Sequence, residues 1–355
     1  MRVLIVDDSV VFRSQIKAAL EGSALIEVVG SANNGKIALQ KLAQTSGVEL
    51  ITLDMEMPEM SGLETIREIK KAKFPVKIIV FSSQTTRGSE ATLEALRAGV
   101  DDFVAKPQGE NATYENAATR IRDELLPKIL QFVPSAATPT KSSAVVEAAT
   151  PKPTPSVYLK KDIDTFIPSV IVIGSSTGGP PALEHILTEL PKPLRVPILI
   201  AQHMPPVFTA SLAKRLQMIS GVEASEAING EILKPNHIYI APGNFHMSVV
   251  KIQNQIQLKL DQNPPRNSVR PAVDTLFESA AEIYGPRTMA IVLTGMGEDG
   301  LIGARAVKAA AGAVMIQNKE SCVVFGMPGA IYAAGIQDGI GDLTQIRTKL
   351  RKMTN

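Results

Sequence analysis

The stretch Val170-Ile171-Val172-Ile173-Gly174-Ser175-Ser176-Thr177-Gly178-Gly179-Pro180 runs into a helical pattern over residues 182–190. A short, wholly apolar run reads as a strand buried on both faces, and strand, glycine turn and helix in succession form the unit of a parallel α/β sheet. The same logic recurs downstream at Val196-Pro197-Ile198-Leu199-Ile200-Ala201, Ile238-Tyr239-Ile240-Ala241, Met289-Ala290-Ile291-Val292-Leu293 and Ala313-Val314-Met315-Ile316. Two alternating runs, Val249-Val250-Lys251-Ile252 and Ile256-Gln257-Leu258-Lys259-Leu260, flank Gln253-Asn254-Gln255 and predict an antiparallel hairpin inserted in this domain. Upstream, apolar runs at 3–6, 27–30, 50–53, 77–81 and 102–105 alternate with amphipathic stretches at 13–20, 35–42 and 90–98. They predict a second doubly wound domain, with five parallel strands.

Six of the 24 prolines lie between residues 134 and 168, in an Ala/Ser/Thr/Lys-rich segment without helical or strand period. Such a segment buries too little apolar surface to order itself, so a flexible linker over 134–168 is expected between domains at 1–126 and 169–355. A length of 355 residues agrees with two cores rather than one. With 45% hydrophobic residues and no apolar run approaching the ~18 needed to span a bilayer, an integral membrane protein is excluded. Lys plus Arg (37) nearly cancels Asp plus Glu (35), leaving no global field to draw the chain onto nucleic acid or anionic lipid. One cysteine, Cys322, and an acid-interrupted N-terminus without signal-peptide features predict a cytoplasmic protein.

In an open parallel sheet, ligands meet the carboxyl ends of the strands. There the N-terminal domain carries Asp7 and Asp8, then Asp54, then Ser82 and Ser83, then Lys106-Pro107. Clustered carboxylates favour a hard cation such as Mg²⁺, and a lysine and a hydroxyl beside them suit a phosphoryl group. Val6-Asp7-Asp8-Ser9, Leu53-Asp54-Met55-Glu56-Met57-Pro58, Phe81-Ser82-Ser83 and Ala105-Lys106-Pro107 resemble the response-regulator receiver domain over about the first 125 residues. The resemblance implies phosphorylation of Asp54 by a histidine kinase, and Mg²⁺ held by Asp8, Asp54 and the Glu56 carbonyl with help from Asp7. It also implies phosphoryl contacts from Ser82 and Lys106, and an aromatic switch at Phe103.

Gly174-Ser175-Ser176-Thr177-Gly178 matches the G-x-S-x-G nucleophile elbow with Ser176 at its centre, although a phosphate-binding turn or a purely structural glycine turn also fits. A serine nucleophile needs a base, and the chain has four histidines. His185 reads as a solvated helix residue and His237 as a loop or packing residue. His203 ends the second strand and is preferred over His246. The orienting acid is expected in Leu293-Thr294-Gly295-Met296-Gly297-Glu298-Asp299-Gly300, as Asp299 or Glu298.

Together with Gln202-His203-Met204-Pro205, Ala241-Pro242-Gly243, Arg270-Pro271-Ala272-Val273-Asp274 and the 321–328 segment, these motifs resemble the chemotaxis protein-glutamate methylesterase (CheB) family over residues 168–350. The resemblance implies a Ser176–His203–Asp299 triad, the Met296 N–H in the oxyanion hole, and Thr177 and His246 near the site. It further implies hydrolysis and deamidation on methyl-accepting chemoreceptors without a cofactor at the esterase site, membrane contact only through those receptors, and a monomer. A receiver fused to a DNA-binding output domain, or to an inactive hydrolase-like adaptor, is the competing reading. No basic helix-turn-helix pattern supports the first, and intact Ser176, His203 and Asp299 oppose the second.

Overall fold

The computed structural model describes residues 1–107, 114–133 and 158–355. The N-terminal unit runs β1 (Arg2–Val6), α1 (Val10–Leu20), β2 (Glu27–Ala32), α2 (Gly35–Gln44), β3 (Leu50–Asp54), α3 (Gly62–Lys71), β4 (Lys77–Ser82), α4 (Thr86–Arg97), β5 (Asp102–Ala105) and α5 (Tyr114–Leu130). Its five strands are parallel in the order β2-β1-β3-β4-β5. Side chains alternate along β1, so Val3 and Ile5 pack with Ile16 of α1 and Leu125 of α5, while Leu4 and Val6 join Ala38, Ile66 and Leu93 on the opposite face. Helix starts are fixed by side chains, most completely at Ser61 and Glu64, which form a capping box on α3.

The second unit comprises β6 (Val170–Ser175), α6 (Gly179–Leu187), β7 (Ile198–Gln202), α7 (Phe208–Ser220), β8 (Glu223–Glu226), β9 (His237–Ile240), β10 (His246–Ile252), β11 (Gln255–Asp261), α8 (Val273–Tyr284), β12 (Thr288–Val292), α9 (Leu301–Ala309), β13 (Ala313–Gln317), α10 (Met327–Ala333), β14 (Gly339–Gly341) and α11 (Leu343–Thr354). Seven strands form one parallel sheet, β14-β13-β12-β6-β7-β9-β8. The chain winds outward from β6 through β7 and later returns to β12 on its other side. The crevice at the carboxyl end of β6 is therefore a topological switch point.

Two elements differ from the sequence reading. The edge strands β8 and β14 were not anticipated, because one is polar (EASE) and the other only three residues long (GIG). The expected linker falls outside the described residues for 134–157, but residues 158–168 are packed on the second unit. Lys308, buried with its partner Asp338 at 2.6 Å, donates to the Leu159 carbonyl, while Asp338 also accepts from the Lys161 N–H. The hairpin matches its reading: β10 and β11 pair antiparallel from Ile252 opposite Gln255, through left-handed Gln253 and Asn254.

Candidate active site and phospho-acceptor cluster

Ser176 follows the last residue of β6, His203 follows β7, and Asp299 lies in the loop between β12 and α9. The strand ends are stitched together. The Ser176 N–H donates to the Thr294 carbonyl (3.0 Å), the His203 N–H to the Ser175 carbonyl (3.1 Å), and the buried Gln202 amide to the Ser176 carbonyl (2.9 Å). Gly178 turns the chain into α6 with φ +75°, and a Cβ there would stand 2.5 Å from Val323. The strain expected of a nucleophile elbow is thus carried by the glycine, and Ser176 keeps a negative φ. A Cβ on Gly295 would approach the Ser176 Cβ to 2.8 Å, so only glycine lets the 294–300 loop pass so close.

His203 Nε2 and Asp299 Oδ2 lie 2.8 Å apart. That contact places the imidazole proton on the Asp299 side and leaves Nδ1, which has no partner among the described residues, as the basic nitrogen. Ser176 and His203 line one cavity of about 610 Å³, together with Thr177, Met296, Asn267 and Arg270. Asp299 is almost fully buried. Burial alone would raise its carboxyl, but the hydrogen bond and charge of His203, with the N–H groups of Val273 and Asp274, outweigh it and hold the group at about 2. Glu298 is exposed, and of the two acids Asp299 is the one that meets His203. Cys322 does not compete as a nucleophile, since burial pushes its thiol up to about 12.

The other histidines have different surroundings. His246 was expected near the site, but it is buried behind the 264–272 loop and does not line the cavity: Nδ1 accepts the Ala272 N–H (3.2 Å) and Nε2 faces the Pro264 carbonyl (3.2 Å). With both nitrogens engaged it braces the loop instead. His237 opens β9, stacked on Tyr239 and bonded to Ser225. His185 is half-buried against Thr344 rather than fully solvated.

At the N-terminal sheet edge, Asp7, Asp8 and Asp54 each offer an oxygen within 4.8 Å of the others. Lys106 Nζ lies 2.8 Å from Asp54 and 3.3 Å from Asp7. Burial first and the Asp54 charge second push the Asp7 carboxyl up to about 6, against the pull of Lys106. The Asp7 Oδ2 atom is buried with the Lys106 ammonium beside it at 3.3 Å but without an aligned hydrogen bond among the described residues, a coordination that a hard cation would complete. Glu56 is exposed and its N–H reaches Asp54 (3.2 Å). The Ser82 hydroxyl turns toward the Gly88 carbonyl (3.0 Å). Phe103 is buried on β5 and stacks on Phe208 of α7, with ring centroids 4.8 Å apart.

That stacking belongs to a contact between the units. Asp102 accepts from the Thr177 hydroxyl (2.6 Å) and pairs with Lys128 (2.8 Å), Ser89 meets Ser211 (2.6 Å), and Arg97 reaches Glu184 (3.4 Å). Phe103, Pro127 and Lys128 wall the cavity that holds Ser176.

The CheB methylesterase family profile matches residues 171–350, and the response regulator receiver domain profile matches residues 3–117. The chain belongs to the CheB methylesterase family. It is a CheB-type methylesterase carrying an N-terminal receiver domain, and it is similar along nearly its whole length to curated members. The protein-glutamate methylesterase/protein-glutamine glutaminase of Trichodesmium erythraeum is 41% identical over 98% of this chain and 97% of the relative. The protein of the same name from Thermotoga maritima is 38% identical over 99% and 97%. The crystal structure of the Thermotoga maritima CheB methylesterase catalytic domain covers 53% of this chain and 99% of its own, at 45% identity and a TM-score of 0.51. Among the described residues of the CheB chain, no helix is long and apolar enough to cross a membrane.

Residues that the sequence reading left without a role now surround the candidate triad: Gln202, Asn267, Asp274 and Thr294. The bonds that tie Gln202 to the Ser176 carbonyl and the Asp274 N–H to Asp299 span 25 or more residues and emerge only from the fold.

Proposed function

We propose that this CheB-family chain hydrolyses γ-glutamyl methyl esters on methyl-accepting chemoreceptors, releases methanol, deamidates glutamine side chains there, and is controlled by phosphorylation of Asp54. The observation that supports the reading most is the convergence of Ser176, the His203–Asp299 pair and the receiver's β5–α5 wall on one cavity.

Ser176 Oγ attacks the ester carbonyl while His203 Nδ1 takes its proton, and Asp299 stabilises the imidazolium through Nε2–H. Charge developing on the carbonyl oxygen faces the N-terminus of α6 and the Met296 N–H, which has no acceptor among the described residues. His203 returns the proton to the leaving methoxide, and water, activated by the same base, cleaves the acyl-enzyme. With an amide the leaving group is ammonia, and every other role is unchanged.

In the receiver, Asp7, Asp8 and Asp54, with the Glu56 carbonyl, would hold Mg²⁺, which supplies charge neutralisation for the phosphoryl oxygens. Asp54 is the acceptor of a phosphoryl group from a histidine kinase, Lys106 pairs with that group, and Ser82 rotates from the Gly88 carbonyl to meet it. Rearrangement there repositions Phe103 and Asp102, which face Phe208 and Thr177, and opens the wall over Ser176.

Methanol release from a methylated chemoreceptor preparation, measured with and without a small phosphodonor and Mg²⁺, tests this. Faster release with the phosphodonor is expected. No methanol under either condition would leave the substrate assignment without support.

A further inference from the structure

The carboxylate of Asp299 is held by more than His203. Its Oδ2 accepts the Val273 N–H (2.7 Å), and its Oδ1 accepts the N–H of Asp274 (3.1 Å), the N–H of Gly300 (3.0 Å) and the Asn267 side-chain amide (3.0 Å). The start of α8 thus grips the acid. Asp274, in the first turn of that helix, returns the grip: its Oδ1 accepts the N–H groups of Gly300 (2.9 Å) and Gly303 (2.7 Å) at the start of α9, immediately after Asp299. Its Oδ2 accepts the same Asn267 amide nitrogen (3.0 Å). One amide nitrogen therefore bridges two buried carboxylates.

Helix capping alone does not explain a second carboxylate here, because a neutral Asn would satisfy Gly300 and Gly303 equally well. Burial above all, with the Asp299 charge adding to it, pushes the Asp274 carboxyl up to about 6 against the N–H groups that favour its ionised form. A costly charge at this place needs a use. The charged neighbours are few: Asp299 and His203 on one side, and Arg266, which is tied to Glu278 of α8 (3.1 Å), on the other. His246, from β10, meets the Ala272 N–H and the Pro264 carbonyl.

We propose that Asp274 and Asn267 form a positioning pair that fixes the orientation of the Asp299 carboxylate and adds negative potential behind His203. This rests on the triad reading given above. Asp274 does not line the cavity, so its loss acts on turnover rather than on substrate binding. In Asp274→Asn, one oxygen can still cap α9, but the new NH₂ confronts the Asn267 NH₂. If Asn267 flips to resolve that clash, its oxygen faces Asp299 and the bridge is broken.

The test is steady-state methanol release by the full-length chain from methylated chemoreceptor membranes, for wild type, Asp274→Asn, Asn267→Ala, the double variant, Asp299→Asn and Ser176→Ala, across a range of pH. Asp274→Asn is expected to lower kcat about 10- to 100-fold with KM within about twofold. Its half-maximal rate on the acid side should move to lower pH, since the imidazolium loses a stabilising charge. The double variant should fall no further than the worse single variant, as coupled groups do and independent ones do not. Wild-type kcat and an unmoved acid side in Asp274→Asn, with Ser176→Ala inactive, would overturn the positioning pair and leave the triad standing. Activity in Ser176→Ala would overturn the triad itself, and the pair with it. Should Asp274→Asn fail to fold by circular dichroism, Asn267→Ala, in the loop over the cavity, carries the decision: a wild-type kcat there contradicts the proposal.

Discussion

The two units each bury a pair of carboxylates at the carboxyl edge of a parallel sheet, and they treat the pair in opposite ways. In the receiver, Asp7 and Asp54 share Lys106, Asp8 stands exposed beside them, and the Asp7 oxygen that faces Lys106 at 3.3 Å makes no aligned hydrogen bond among the described residues. In the esterase unit, Asp274 and Asp299 are saturated by helix N-termini, the Asn267 amide and His203, and neither carboxylate has an orphaned oxygen. The open cluster can exchange partners, as a site that gains a cation and a phosphoryl group must. The closed one holds a single geometry, as an acid that orients a base must. Identical side chains thus become a ligand site or a fixed support according to how many N–H groups the loops bring to them.

The largest effect that sharpens this contrast lies on the closed side. His203→Gln should lose about 10²- to 10⁴-fold in methanol release, because nucleophile activation passes through it. His246→Gln should cost far less, since that ring braces a loop. A ranking in the opposite order would mean that the base has been misassigned.

A middle-sized effect concerns the boundary between the units. A fragment beginning near residue 156 keeps the 158–168 segment that packs on the esterase unit but lacks the receiver wall. It should hydrolyse methyl esters roughly 5- to 150-fold faster than the unphosphorylated full chain, the usual span of a coupling between sites. Asp54→Asn should hold the full chain at its basal rate with phosphodonor present. Equal rates for fragment and unphosphorylated chain would mean that the receiver works by recruiting the enzyme to its substrate instead of by covering Ser176.

The smallest effect is on the open side. The Asp7 carboxyl rises from 3.8 to about 6 in the folded state, so folding retains that proton. Its contribution to stability is complete below the unfolded value and is lost as pH climbs through about 6. Without Mg²⁺, Asp7→Asn should therefore gain on the order of 1–2 kcal/mol near neutral pH in urea unfolding. A loss instead would show that Lys106 already compensates the cluster.

Much of this was legible in the chain itself. Apolar runs such as 3–6 and 170–173 form strands, and the strand ends predict where Asp54 meets Asp7 and Asp8 on one sheet and where Ser176 and His203 meet on the other. β8 and β14 were hidden because edge strands need little apolar pattern, and the start of the second unit was hidden because composition does not reveal that Lys308 and Asp338 anchor Leu159 and Lys161. Histidine at 246 has the right spacing for a pocket, but its orientation is set by a loop that no local pattern describes. Asp274 and Asn267 are the clearest case: each looks like an ordinary polar residue until α8 and α9 are brought end to end.

Wild type and Ser176→Ala, compared on one methylated receptor preparation with methanol release and Asp54 phosphorylation read together, separate the two chemistries. Methanol should fall to background while phosphorylation is unchanged, because the two chemistries occupy separate sheets. Near-native methanol release from Ser176→Ala would contradict this.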